Sequence, residues 1–190
     1  EPIPVEFHTQ VEGFQPYNRD ENLARPWAVP GTPGLEHRVG GLEKQGGTGN
    51  VSYDPANHEH LFHVRQAKVD KVADFIPPTQ VFGAQEGDVL VLGWGGTYGA
   101  LHAGVSKLVD EGAAVGQVHL RHLNPFPKDL GDIMRRFRKV LVPELNLGQL
   151  AMLLRARYLI DVVSHTKVRG KPFKESEIVQ AVRTLLEGTR

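Results

Sequence analysis

A chain of 190 residues has room for one ordinary domain, or for one domain and an arm. Lys and Arg number 22 against 22 Asp and Glu, so no general field draws the chain to nucleic acid or to an anionic membrane. Cysteine is absent, which excludes disulfides, thiolate catalysis, Cys-ligated zinc and iron–sulfur clusters held by this chain. No apolar run is long enough to span a bilayer, and EPIPVEFHTQ at the N-terminus lacks the basic and apolar regions of a signal peptide. A soluble, cytoplasmic chain is expected, and its start at Glu1 without an initiator Met reads as a piece of something longer.

Residues 1–53 hold eight glycines and, counted with Pro55, seven of the 13 prolines, with no sustained helical or alternating period. They predict a loop-rich arm. Phe7, Phe14, Tyr17, Trp27, Leu35 and Leu42 are too many large apolar residues for a disordered linker, so the arm is expected to lie against the following domain or another subunit. Asp54-Pro55 then predicts a helix start, with Asp as the cap and Pro at the first helical position. Leu61, Val64, Lys68, Val72, Phe75 and Ile76 follow at helical spacing up to Pro77-Pro78. Residues 54–80 are thus a connecting helix and linker.

From Val81 onward strand and helix patterns alternate, and residues 81–190 predict an α/β domain. Its centre is GDVLVLGWGGTYG, Gly87 to Gly99: a turn at Gly87-Asp88, an apolar strand at Val89 to Leu92, then a glycine-rich loop opening a helix. Leu101, Val105, Leu108 and Val109 line one face of that helix, which stops at Gly112. Ala114 to Leu120 reads as the next strand and Asn124 to Pro127 as a turn. Leu130, Ile133, Met134 and Phe137 predict a helix, and Val140 to Val142 a short strand. Asn146 with Gln149 reads as a capping box before a helix through Leu147, Leu150, Leu154 and Tyr158. A strand at His165 to Val168 and a helix through Ile178, Ala181, Val182 and Leu185 complete a mainly parallel sheet of about five strands flanked by helices.

Two readings of the glycine loop stay open. Backbone N–H groups of Gly95, Gly96 and Thr97 at a helix N-terminus suit a phosphate, which would make the chain a nucleotide- or CoA-binding module. The spacing falls short of a dinucleotide fingerprint, since the third glycine would stand at Tyr98, and no Gly-Lys-Ser/Thr follows. The other reading is a tight turn whose glycines serve packing. His58-Glu59-His60-Leu61-Phe62-His63 looks like metal chemistry, but on a helix His58 and His60 point about 200° apart, which leaves Glu59 with His63. A polar first helical turn is the alternative. His119, Arg121 and His122, the glycine loop, and Glu144 with Asn146 all fall at carboxyl ends of strands, where open α/β sheets gather ligands and where turns and subunit contacts also lie.

The runs Arg25 to Glu59, Val91 to Ala100 (VLGWGGTYGA), His119 to Pro127 (HLRHLNPFP) and Val142 to Asp161 resemble the C-terminal part of the alpha subunit of 2-oxoacid:ferredoxin oxidoreductases, closest to the 2-oxoglutarate branch. The resemblance covers essentially the whole chain. It implies a thiamine-diphosphate enzyme that decarboxylates a 2-oxoacid, forms an acyl-CoA and passes electrons through iron–sulfur clusters to ferredoxin. It also implies that residues 1–53 leave a pyrimidine-binding domain and that residues 81–190 form a transketolase C-terminal-like domain. The family's Tyr-Pro-Ile-Thr-Pro motif and the Gly-Asp-Gly…Asn signature for Mg²⁺ and diphosphate do not occur here. The resemblance therefore implies a structural and interface role, with no catalytic or metal-ligating residue carried onto this chain. Its partners would be the rest of the alpha subunit and a beta subunit with the thiamine site, and the parent enzyme would hold thiamine diphosphate, Mg²⁺ and, in another subunit, an iron–sulfur cluster.

Overall fold

The computed structural model describes residues 4–188; the first three residues of the expected arm and the last two of the expected α/β domain lie outside them. The chain divides into two compact units, one ending at Phe75 and the other beginning at Ile76.

The first unit is the loop-rich stretch together with helix α1, Pro55–Lys71, and a 3₁₀ turn at Val72–Phe75. Asp54 caps the helix as its sequence predicts, its carboxylate accepting from the Ala56 N–H at 2.9 Å with Pro55 in the first turn. Polar contacts tie the loops to α1. Glu43 accepts from Arg65 at 3.0 Å and pairs with His58 at 2.8 Å, and Asn57 donates to the Lys44 carbonyl at 3.0 Å. The expected apolar face of this helix is a correction: Leu61 is its one buried residue, while Phe62, Val69, Val72 and Phe75 are exposed. The loops supply little to bury it against, for the buried apolar side chains among their described residues are Pro16, Ala28 and Leu35.

The second unit holds five strands: β1 (Val81–Gly83), β2 (Gly87–Trp94), β3 (Val115–Leu120), β4 (Phe137–Glu144) and β5 (Val162–Thr166). Their order across the sheet is β1-β3-β2-β4-β5, with β1 antiparallel at one edge and all other pairs parallel. The helices are α2 (Tyr98–Asp110), α3 (Leu130–Arg135), α4 (Gln149–Tyr158) and α5 (Glu175–Glu187). The unbroken VLVL run has the cause its pattern suggests, a strand covered on both faces. Val89 and Val91 pack with α2 and α5, while Leu90 and Leu92 pack with α3 and α4. Thr79 fastens the segment before β1, its N–H and hydroxyl donating to the Asp129 carboxylate at 2.7 and 2.6 Å. Gly112, at φ +84°, ends the last turn of α2 as expected, and Ala113 N–H reaches back to the Leu108 carbonyl at 3.0 Å.

Three boundaries differ from expectation. Phe137 begins β4 opposite Gly87 and does not belong to α3, which ends two residues earlier. The strand β4 runs eight residues where the sequence suggested three. The last strand lies at Val162–Thr166, because Val162 and Val163 pair with Val140 and Leu141; Val168, expected inside it, is 62% exposed.

Candidate functional site

The central strands β2 and β4 lie side by side, and the chain leaves them in opposite directions. From β2 it goes through α2 on one face to β3, and from β4 through α4 on the other face to β5. This is the topological switch point, the crevice in which open α/β sheets bind ligands. Its rims are Gly95-Gly96-Thr97 and Leu145 to Gly148.

The crevice is bridged by the chain's own side chains. Glu144, fully buried at the end of β4, accepts from the N–H groups of Leu150 at 2.9 Å and Ala151 at 3.0 Å. Those are the donors that an anion would use at the start of α4. The same carboxylate accepts from the Asn146 amide at 3.1 Å and from the Trp94 indole N–H at 3.4 Å, so it joins the two rims. Asn146 accepts in turn from the Gly148 N–H at 2.8 Å, and Gln149 accepts from the Leu147 N–H at 3.1 Å. Asn146 and Gln149 thus serve the turn before the helix, and Gly148 stands at the N-cap position. Glu144 does the capping that their spacing suggested for them.

Across the crevice, the glycines sort into different jobs. A methyl group at Gly93 would fall 2.1 Å from Leu101 Cδ1, so this glycine serves packing. Gly95 has φ +58°, a backbone conformation that favours glycine, but a methyl there or at Gly96 meets nothing within 4 Å. Of the loop glycines, close packing belongs to Gly93, Gly95 takes the positive φ of a tight turn, and Gly96 has open space around it. The Thr97 hydroxyl donates to the Trp94 carbonyl at 2.8 Å and closes the turn, and no side chain caps α2.

His119, Arg121 and His122 do not form one group. His119 is half-buried on β3 with Tyr98 edge-on at 5.1 Å, whereas Arg121 and His122 are exposed beyond the strand. Burial, helped by the Arg121 charge, pushes the His119 imidazole below its usual pKa, and its Nδ1 is buried with no hydrogen-bond partner. Beside it lies a cluster missed in the sequence. The Gln117 side chain, 2% exposed, bonds His102 Nδ1 through Oε1 at 3.1 Å, and His102 packs on Phe82 at 4.4 Å and stacks on Tyr98 at 5.3 Å. The available signal was the two-residue spacing of Gln117 and His119 within an otherwise apolar strand. In the first unit His58 pairs with Glu43 and His63 lies edge-on to Phe62, and the described residues hold no group of three His, Asp or Glu suited to a metal.

The chain matches the family model of the pyruvate:ferredoxin oxidoreductase core domain II over residues 87–180. It is 48% identical over 189 residues to the 2-oxoglutarate oxidoreductase subunit KorA of Mycobacterium tuberculosis, covering 98% of this chain and 29% of that one. It is also 32% identical to 2-oxoacid:ferredoxin oxidoreductase 2, subunit alpha, of Aeropyrum pernix, over 73% of this chain and 23% of the other. The solved 2-oxoglutarate:ferredoxin oxidoreductase from Magnetococcus marinus, with 2-oxoglutarate, coenzyme A and succinyl-CoA bound, has a TM-score of 0.90 and 34% identity over 97% of this chain and 32% of its own. The chain spans less than a third of the length of these relatives. With sequence motifs, strand order and relatives in agreement, this chain belongs to the 2-oxoacid:ferredoxin oxidoreductase family, as a segment related to its alpha subunits.

Proposed function

We propose that this chain is the C-terminal structural and interface part of the alpha subunit of a 2-oxoglutarate:ferredoxin oxidoreductase, an enzyme that decarboxylates its 2-oxoacid, forms an acyl-CoA and reduces ferredoxin. The observation that carries the proposal is 48% identity across 98% of the chain to a 2-oxoglutarate oxidoreductase subunit. The self-satisfied crevice supports a structural role, because Glu144 already occupies the N–H groups of α4. Thiamine diphosphate, Mg²⁺ and the iron–sulfur cluster belong, on this proposal, to the remaining alpha subunit and to a beta subunit. The chain has no cysteine, and its described residues offer no group of three His, Asp or Glu suited to a metal. Among the described residues no helix is long and apolar enough to cross a membrane, which suits a cytoplasmic enzyme. The test is a chimera of the Mycobacterium tuberculosis subunit with its matching 189 residues replaced by this chain. Purified with its partner subunit, it is expected to keep 2-oxoglutarate- and CoA-dependent reduction of benzyl viologen. A chimera that assembles but turns over only a different 2-oxoacid counts against the 2-oxoglutarate assignment.

One observation favours a second reading, a nucleotide- or CoA-binding role for Gly95, Gly96 and Thr97: the space around the two glycines is open and the start of α2 has no side-chain cap. On this reading CoA, ADP or pyrophosphate at a hundredfold excess over its dissociation constant stabilises the chain by about 2.7 kcal/mol. Thermal melts with each ligand decide it, and unchanged melts reject it.

A further inference from the structure

The sheet face that carries α2 and α5 is incompletely covered. Both helices pack over the central strands, and beyond α5 the edge strand β5 is left beside an open groove of about 630 Å³. Its accessible apolar lining comes from Val163 on β5 and Ala181 and Leu185 on α5, over a floor of the buried Leu141 of β4 and Phe173 of the loop between β5 and α5. The volume lies within the roughly 300–1,000 Å³ of small-molecule sites, and such sites pair an apolar lining with few polar groups. The lining of the groove includes none of the residues that form the rims of the crevice between β2 and β4.

The polar groups of the groove differ in how far they are committed. Lys167 Nζ donates to both Glu177 oxygens, at 2.7 and 2.9 Å, and to the Pro172 carbonyl at 2.9 Å. Its charge is neutralised, and the bonds pin the loop that forms one wall. Glu177 in turn accepts from the Lys174 N–H at 2.7 Å, which fixes the start of α5. The His165 ring stacks on Phe173 at 5.4 Å and 25°, and burial pushes its pKa down, so at neutral pH it is an uncharged part of the wall. Ser164, Thr166, Gln180 and Thr184 add neutral polar groups, and Arg169 adds a cation: exposed, lining the groove, and without an ion pair among the described residues.

We propose that this groove is a binding site for an amphipathic organic anion, its aliphatic or aryl body on the half-buried Val163 and Ala181 and its anionic end at the Arg169 guanidinium. An apolar trough alone would not discriminate by charge, and an exposed guanidinium alone would not hold a ligand. Together they favour an anion over its neutral isostere, by the modest factor that a solvent-exposed charge contributes. The inference does not rest on the enzyme assignment above.

The test is a titration of the isotope-labelled chain with sodium octanoate, followed by amide chemical shifts, with octan-1-ol as neutral isostere and phosphatidylglycerol vesicles as a lipid source of the same chemistry. Saturable shifts are expected at Val163, His165, Phe173 and Ala181, with octanoate about threefold or more tighter than octanol. Arg169→Gln, a surface change, should erase that preference, and Ala181→Trp should fill the trough and abolish the shifts. Equal affinity for octanoate and octanol, shifts as large at Leu147 or Trp27 as in the groove, or binding to vesicles without binding to free octanoate would each overturn the proposal.

Discussion

Gly93 and Gly96 stand three residues apart and differ sharply in what they tolerate. A methyl at Gly93 collides with Leu101, which is fully buried and cannot swing into solvent, so Gly93→Ala should cost about 1–3 kcal/mol as overpacking. Gly96→Ala has open space and ordinary backbone, and should stay within about 0.5 kcal/mol of wild type. Gly95→Ala, at φ +58°, should fall between them, at about 1 kcal/mol. Urea midpoints of the three variants give the ranking, and equal midpoints for Gly93→Ala and Gly96→Ala would contradict it. The glycine loop was legible in the sequence as a loop. Which glycine packs was not, because the clash is set by where Leu101 sits on the following helix. Glu144 makes the same point. It was legible as a polar residue at a strand end, but its depth, and the two helix N–H groups it holds, come from the β4 register and the placement of α4. Glu144→Ala should therefore cost about 3 kcal/mol or more by stranding those donors, and Glu144→Gln less, since one acceptor remains. Urea melts of both variants test this.

Among the elements, two boundaries set by local chemistry lie where the sequence predicts them. Asp54-Pro55 starts α1 because a carboxylate and a preset φ act on the residues next to them, and Gly112 ends α2 for a similarly local reason. Asp54→Ala should loosen the first turn of α1 by about 1 kcal/mol, read as faster hydrogen exchange at the Ala56 amide, the donor it now caps. Unchanged exchange there would place the helix start elsewhere. Elements defined by distant partners lie away from their expected bounds. His165 to Val168 looks as strand-like as Val162 to Thr166, and only pairing with Val140 and Leu141 selects the latter. Phe137 continues a helical spacing, yet it is drawn into β4, where its ring packs close to Gly116 of β3. The groove beside α5 belongs to this non-local class too, because it exists where a helix does not cover the sheet.

Across the whole molecule, the balanced charge total conceals an imbalance between its units. Residues 76–190 hold fifteen Lys and Arg against eleven Asp and Glu, and residues 1–75 hold seven against eleven. The second unit also holds both histidines whose pKa is lowered, His119 and His165, in each case chiefly by burial. Arg121 adds to the effect at His119, while Glu177 opposes it at His165. An unfolded histidine titrates near pH 6.5, so below that value the unfolded chain binds protons that the folded chain refuses. Stability of the second unit is thus full above about pH 6.5 and falls as the pH drops through the lowered folded values. Glu177, whose pKa is held down by Lys167 and the Lys174 N–H, extends the loss to lower pH, where its carboxylate protonates. Trp94 lies in the second unit and Trp27 in the first, so Trp94 fluorescence in a Trp27→Phe background follows the relevant transition. Urea midpoints should decline from pH 7 to pH 5, and His119→Asn or His165→Asn should flatten that decline whatever it does to the midpoint at pH 7. The slope is the diagnostic quantity, since a merely structural loss shifts the curve without changing its pH dependence. A decline that persists undiminished in both variants would assign the acid sensitivity to other groups.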